Sequence, residues 1–358
     1  MTRCFMLALW MLCLSVAGTA QQSAYVTSNT LRGAGMDLLT LTFAAVTSDG
    51  TVVGYDRPPL EEKMQGAKYR VWLVRPSADG RLPDVRSIPL DIGTLDQIAL
   101  TPDDRALVAI SDQGADFRRI SLADGAVSML MEHQPGSRGF RTIPFTLFRG
   151  PDRLVTTGYF YDPEDFAEET TVATLDPQRQ GIDAFSAGPE FGSLERQLEN
   201  LYWSIYADPT LMFFSTQTDQ EARVYSWTPT RGLQPIDRGK KLTGGWGEGR
   251  ALIYGMDDEA GSSKLVLVTG PDARQVLAEN GQQTFFNPCV SPGAETVLAE
   301  LGKKGTDRVS VVYGTADGGW SVSPVPGLEN TAPGIVRLSY DGKSGLFYNP
   351  TGLRLIRF

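Results

Sequence analysis

The chain has 358 residues, of which 41% are hydrophobic and 21% charged, and its formal net charge is −9. This balance is ordinary for a globular protein and excludes a chain too polar to bury a core. Because acidic residues outnumber basic ones and no run of basic residues is longer than a pair, we expect no nucleic-acid partner.

The N-terminus has the pattern of a secretory signal peptide. Arg3 precedes an apolar stretch, and small residues end it at Ala20. We therefore predict a signal peptide over residues 1–20 and a periplasmic or secreted protein in which residues 21–358 form a single domain. We expect no transmembrane segment in the mature chain, because no other apolar stretch is long enough to span a bilayer. An uncleaved membrane anchor is the alternative.

Units of a polar turn followed by an apolar strand recur along the rest of the chain. In "TPDDRALVAISDQ" (101–113), a turn rich in Asp and Pro precedes an alternating apolar run. Seven such stretches follow one another at steps of 40 to 56 residues, anchored at Gly50, Asp103, Asp152, Asp208, Glu248, Gly293 and Gly342. A unit of about 40 to 50 residues with four short strands is typical of a β-propeller blade.

The repeat predicts an all-β fold, a β-propeller of seven blades with four antiparallel strands each. Uneven spacing leaves six or eight blades open as alternatives. The last unit ends at Phe358, too early for a full blade, and a strand-like segment at 24–31 precedes the first unit. We therefore expect the N-terminal strand to close the last blade, which would leave the ring without an open edge.

The units at 101–125, 291–318 and 339–348 resemble the repeats of TolB-like propellers and of prolyl-oligopeptidase-type enzymes. The resemblance implies a fold and not an activity, because the repeated residues form turns and pack in the core. TolB-like proteins carry an α/β domain before the propeller, and the peptidases carry a hydrolase domain. Only about two dozen residues separate the predicted signal peptide from the first unit, so we expect neither domain here.

An acidic segment at 159–169, "YFYDPEDFAEE", lies in the third unit. Its five carboxylates are those of Asp162, Glu164, Asp165, Glu168 and Glu169. Oxygen ligands of this kind bind calcium, and an acidic loop also docks a basic partner. A solvated loop without a ligand is the other interpretation. Calcium is the one cofactor for which the sequence offers a candidate site.

Two tryptophans that follow glycine pairs, Trp246 and Trp320, are candidates for stacking on a sugar or a partner, with core packing as the alternative. The glycine-rich segment "GGWGEG" (244–249) is interpreted as the linker into the fifth blade. The leucine spacing in 191–206 predicts a short helix between blades.

Few residues suited to catalysis are present. His133 is the only histidine and no G-x-S-x-G motif occurs, which argues against a Ser–His–Asp triad and against zinc. Signal cleavage would leave Cys289 as the one thiol, which we expect to be a small buried hydrophobe.

These features favour an exported, non-catalytic propeller that binds a protein, peptide or glycan, as a module or as a subunit of an envelope complex. The alternative is a hydrolase or lyase that uses axial carboxylates, with or without calcium.

Overall fold

The computed structural model describes residues 21–56, 69–77, 83–90, 95–111, 116–131, 139–149, 154–161, 168–175, 182–186, 198, 200–208, 211–303 and 306–358. The predicted signal peptide lies outside this part. The described strands form seven four-stranded antiparallel sheets, and the described helix is a single short one. In this part of the chain, no helix combines the length and the apolar character that a membrane span requires.

The chain begins with strand β1 (Gln21–Thr27) and helix α1 (Ser28–Gly33). Sheet 1 contains β2 (Leu41–Val46), β3 (Val52–Asp56), β4 (Tyr69–Arg75) and β5 (Asp84–Leu90). Sheet 2 contains β6 (Leu95–Leu100), β7 (Ala106–Ser111), β8 (Asp116–Ser121) and β9 (Val127–Met131). Sheet 3 contains β10 (Gly139–Arg149), β11 (Leu154–Tyr161), β12 (Glu168–Leu175) and β13 (Ile182–Ser186).

Sheet 4 contains β14 (Leu201–Asp208), β15 (Leu211–Gln217), β16 (Ala222–Thr228) and β17 (Gly232–Gly239). Sheet 5 contains β18 (Lys241–Glu248), β19 (Ala251–Asp257), β20 (Ser263–Gly270) and β21 (Ala273–Asn280). Sheet 6 contains β22 (Gln283–Val290), β23 (Thr296–Lys303), β24 (Val309–Thr315) and β25 (Ser323–Pro324). Sheet 7 contains β26 (Ile335–Leu338), β27 (Ser344–Asn349), β28 (Gly352–Arg357) and β1.

The sheets are arranged radially around a central axis. Each sheet packs against the next along the chain, and sheet 7 packs against sheet 1. The first strands of the sheets lie nearest the axis, since β10 and β18 approach each other although their sheets are not neighbours. We call β2, β6, β10, β14, β18, β22 and β26 the inner strands. The predicted all-β propeller fold is confirmed.

Packing on both faces explains why the sequences of the second strands, such as β19, are continuous apolar runs. In β19, Leu252 and Tyr254 belong to the cluster shared with sheet 4, and Ile253 between them belongs to the cluster shared with sheet 6. All three are fully buried. Burial of each such side chain is worth roughly 1.5–3 kcal/mol, but only while both neighbouring sheets are present.

The N-terminal strand closes the last sheet, as predicted. β1 pairs with β28 in antiparallel register, with Tyr25 opposite Arg354. The predicted strand at 24–31 is too long, however, because the chain enters α1 at Ser28. Thr27 caps that helix, since its Oγ1 accepts a hydrogen bond from the backbone N–H of Thr30 at 3.2 Å.

The repeated sequence unit corresponds to the turn between the first and second strands of a sheet. In sheet 2, Thr101 Oγ1 donates to Asp103 Oδ1 at 2.6 Å and accepts the backbone N–H of Ala106 at 3.0 Å. In sheet 7, Ser339 Oγ donates to Asp341 Oδ1 at 2.7 Å in the same way. A hydroxyl and a carboxylate two residues apart therefore brace the turn that leads into the buried second strand in sheets 1, 2 and 7.

Two local predictions are wrong. Residues 201–206, placed in a predicted helix, begin the inner strand β14, whose aromatic side chains suit a strand better than the leucine spacing suits a helix. Residues 244–248, predicted as part of a linker, lie within the inner strand β18. Glycine is tolerated there because neighbouring inner strands crowd together near the axis: a Cβ on Gly244 would lie 3.1 Å from Pro288 Cδ.

Candidate functional site

The turns between first and second strands lie at one end of the propeller, which we call the turn rim. Those of sheets 7, 1 and 2 bind one another. Asp104 Oδ2 accepts the backbone N–H of Ser48 at 2.7 Å, and Ser344 Oγ donates to the carbonyl of Ser48 at 3.2 Å. Arg357 Nη1 donates to the same carbonyl at 3.2 Å. The rim is therefore held by bonds between sheets as well as within them.

A cleft of about 640 Å³ opens on the turn rim between sheets 1 and 2. Its volume is within the usual range of small-ligand sites. We call it the rim cleft. The lining side chains that bear on its chemistry are Asp49, Leu73, Arg75, Asp104, Arg105, Arg119, Ser121 and Leu122.

The two carboxylates of the rim cleft are engaged by the turns. Asp49 Oδ1 accepts from Thr47 Oγ1 and from the backbone N–H of Thr51 at 2.9 Å. Partial burial raises the pKa of Asp49, but these hydrogen bonds and the nearby guanidinium of Arg75 outweigh it and leave that pKa below its ordinary value. Asp104 accepts the N–H of Ser48. Both carboxylates therefore help to maintain the turns.

The guanidiniums of the rim cleft make fewer hydrogen bonds within the protein than its carboxylates do. Arg75 Nε donates to Thr51 Oγ1 at 3.3 Å. Within the described part of the chain, the side chains of Arg105 and Arg119 make no hydrogen bond or ion pair. Three guanidiniums against two carboxylates give the cleft a formal charge of +1 (3 − 2) on a chain whose total is −9. The cleft is thus a local cationic site that suits an anion.

A second polar cluster lies between the inner strands of sheets 6 and 7. The carboxylate of Glu300 is 1% exposed and accepts from Asn287 Nδ2 at 2.6 Å and from the backbone N–H of Gly334 at 2.7 Å. Burial raises the pKa of Glu300, and the two hydrogen bonds oppose that rise without cancelling it. Sequence reasoning missed this cluster. The available signal was Pro288, since a proline within a strand marks a bulge.

The two candidate tryptophans are half-buried. Trp246 packs against the apolar clusters on both sides of sheet 6, and the guanidinium of Arg337 lies 4.5 Å from its ring centroid. Trp320 is at a turn with φ of 62° and packs against the cluster between sheets 5 and 6. Core packing thus buries much of each ring. The role of the two tryptophans in partner binding stays a prediction.

The predicted acidic site falls largely outside the described residues. Asp162, Glu164 and Asp165 belong to the undescribed segment 162–167, and Glu168 and Glu169 begin β12 opposite the end of β11. In the described residues, no group of three or more His, Cys, Asp or Glu is placed to hold a metal ion. Calcium binding by this loop stays a prediction. His133 is also outside, whereas Cys289 is buried, as expected.

No protein-family model and no curated protein sequence matches the chain. Solved structures do. An oligogalacturonate lyase in complex with manganese is 12% identical over 89% of each chain, with a TM-score of 0.54. Acylaminoacyl peptidase from Pyrococcus horikoshii is 13% identical over 89% of this chain and 52% of its own, with a TM-score of 0.50. TolB from Acinetobacter baumannii is 11% identical over 73% and 60%, with a TM-score of 0.39.

At identities this low, the first two likenesses establish the fold alone. The chain has a β-propeller fold, as the resemblance of its repeats implied. It is a propeller module.

Proposed function

We propose that the chain is an exported, non-catalytic propeller that binds an acidic ligand in the rim cleft. This proposal rests on one observation: the acidic and basic groups of the cleft differ in whether they already have a bonding partner within the chain. The carboxylates of Asp49 and Asp104 are bound by turn groups, whereas the guanidiniums of Arg105 and Arg119 have no such partner within the described chain. A carboxylate from a ligand would provide that partner in a bidentate geometry.

An acidic peptide segment of a protein is the partner class that we favour. The cleft opens on the turn rim, so a segment of a large partner can reach it without entering the central channel of the propeller. Leu73 and Leu122 offer apolar surface to the stem of a Glu or Asp side chain, while the arginines bind its head. The contact resembles other modes in which arginine clusters recognise acidic motifs.

The composition of the cleft supports binding over catalysis. A serine or threonine hydroxyl needs an adjacent base to become a nucleophile. Among the described residues, the lining contains the hydroxyls of Thr47, Ser48, Thr51 and Ser121, but no histidine, cysteine or lysine. Its two carboxylates are engaged by turns, and the pKa of Asp49 is lowered, which weakens it as a base.

Export through the predicted signal peptide over residues 1–20 belongs to the same proposal. It rests on the sequence pattern at the N-terminus. The mass of the protein purified from the periplasmic or secreted fraction tests it, since a chain that begins at Gln21 is expected. A mass that includes residues 1–20 would contradict cleavage.

Binding is tested with fluorescently labelled peptides and purified residues 21–358. We expect a Glu-rich peptide to bind and its Gln-substituted counterpart to bind at least about tenfold more weakly, with affinity that falls as salt rises. The double variant Arg105→Ala/Arg119→Ala should lose about tenfold or more in affinity. Arg308→Ala, which removes an exposed arginine outside the cleft, is the matched control. Equal binding of both peptides, or unchanged binding by the double variant, would rule the proposal out.

A further inference from the structure

Asn287 has an unusual backbone and position. It lies on the inner strand β22 at a β-bulge, where the register with β23 shifts between Phe286 and Cys289, and its φ is 44°. A positive φ at a residue other than glycine is uncommon within a strand, and bulges often re-aim a side chain towards a site. Asn287 also remains exposed although sheets 5 and 7 flank its strand. The remaining edge of β22 faces the central axis.

The side chain of Asn287 is held in one orientation. Its Nδ2 donates to Glu300 Oε2 at 2.6 Å and to the carbonyl of Gly334 at 3.3 Å. The N–H of Gly334 donates in turn to Glu300 Oε1 at 2.7 Å. Because Glu300 is almost completely buried, this acid is a fixed support behind an exposed amide. A rigid outer group that orients an exposed polar group is the arrangement that pre-organised binding sites require.

The fixed amide leaves one hydrogen-bonding atom available. Both bonds use Nδ2, and Oδ1 of Asn287 has no hydrogen-bond partner within the described chain. The preceding residue, Phe286, is 37% exposed. Its ring lies beside Gly302, where a Cβ would approach Phe286 Cε2 to 2.8 Å. An acceptor oxygen and a partly exposed aromatic ring thus belong to consecutive residues of an inner strand.

We propose that Asn287 and Phe286 form a second binding position, at the central axis, for a neutral carbohydrate. Oδ1 accepts a hydrogen bond from a sugar hydroxyl, and the Phe286 ring covers the apolar face of the same sugar ring. Neither Asn287 nor Phe286 carries a charge, so these two side chains offer no ion pair to a ligand carboxylate. This position is independent of the rim cleft, which is formed by other sheets.

The proposal differs from a purely structural role for Asn287. Its bonds to Glu300 and Gly334 tie sheet 6 to sheet 7, and that role alone requires neither an available Oδ1 nor an exposed neighbouring ring. Two variants distinguish the structural role from the binding role. Phe286→Ala leaves all three hydrogen bonds in place, whereas Asn287→Gly removes the amide but keeps a residue that tolerates positive φ.

Isothermal titration calorimetry with purified residues 21–358 tests the proposal. The probes are the neutral hexasaccharides of the malto-, cello-, chito- and manno-series, with a hexauronate for comparison. We expect at least one neutral probe to bind, and both Phe286→Ala and Asn287→Gly to weaken it about tenfold or more. Val276→Ala, equally exposed at 37% on the outer strand β21, should bind like the parent chain.

Three results would overturn the proposal: no neutral probe binds, only the hexauronate binds, or Phe286→Ala binds as tightly as the parent chain. If Asn287→Gly fails to fold, as judged by far-UV circular dichroism, the Phe286→Ala result decides. The double variant Arg105→Ala/Arg119→Ala should bind the neutral probe normally. Failure of peptide binding at the rim cleft would leave this position unaffected.

Discussion

The side chain of Asp104 in sheet 2 accepts the backbone N–H of Ser48 in sheet 1 at 2.7 Å. Asp104 has φ of 56°, in the left-handed region that Asp tolerates better than most residues. Its neighbour Asp103 braces its own turn through Thr101. The two consecutive aspartates of "TPDD" therefore have different roles, one within a sheet and one between sheets.

Replacing Asp104 by Ala should lower the free energy of unfolding by about 1–2 kcal/mol, because the N–H of Ser48 loses a charged acceptor in a partly buried place. Asp104→Asn keeps the tolerance of positive φ and an acceptor oxygen, so its loss should be smaller. Urea unfolding followed by fluorescence measures both. Equal stabilities of the parent and Asp104→Ala chains would show that the bond between these turns contributes nothing.

Two glycines with nearly the same backbone conformation should respond differently to substitution. Gly249 has φ of 61°, and a Cβ there would lie 2.0 Å from the carbonyl oxygen of Pro292 in the next sheet. Gly232 has φ of 63° and open space around it. Gly232→Ala should cost about 1–2 kcal/mol of backbone strain, and Gly249→Ala should cost at least about 3 kcal/mol because the turns must separate.

Thermal unfolding of the two glycine variants isolates the contact between neighbouring turns, since the backbone strain is matched. Similar melting temperatures for Gly232→Ala and Gly249→Ala would mean that the turns of sheets 5 and 6 can move apart at little cost.

The fold was predictable from the sequence because its repeated unit is local. A hydroxyl and a carboxylate two residues apart, as in Thr101 and Asp103, form the same turn in sheets 1, 2 and 7. The apolar run that follows is then buried on both faces. The closing strand was predictable by the same logic, since the last unit lacked a fourth strand.

The candidate sites were not predictable, because each is assembled from distant parts of the chain. The rim cleft is lined by both Arg75 and Arg119, and the second polar cluster joins Asn287 to Gly334. No spacing in the sequence encodes such contacts. The glycine-rich inner strand β18 does not follow from its sequence, because glycine disfavours strands in general, whereas close packing at the axis favours it here.

Removal of β1, residues 21–27, should destabilise the whole propeller. The edge of β28 would lose its partner, and sheet 7 would lose the buried side chain of Val26. We expect a loss of at least about 3 kcal/mol from the backbone bonds and apolar burial together, and association of chains through the exposed edge. Thermal unfolding and light scattering measure these effects.

Tyr25→Ala is the control for removal of β1. It keeps the strand and removes an exposed side chain that contacts Arg354, so it should cost no more than about 1 kcal/mol. A truncated chain that melts like the parent and stays monomeric would contradict the closing role of β1.

The buried acid Glu300 should make stability depend on pH. Burial raises its pKa in the folded chain above the ordinary 4.5, despite the opposing hydrogen bonds from Asn287 and Gly334. The folded state therefore holds this proton more tightly than the unfolded state does. Its contribution is fully present below pH 4.5 and is lost as pH rises through the folded pKa.

Glu300→Gln removes this titration while it keeps the shape of the side chain. Relative to the variant, the parent chain should lose stability as the pH rises above 4.5. Glu279→Gln, an exposed position on β21, should show no such trend. Urea unfolding at several pH values provides the comparison. A parent chain that gains stability relative to Glu300→Gln as pH rises would mean that the hydrogen bonds to the ionised carboxylate outweigh its burial.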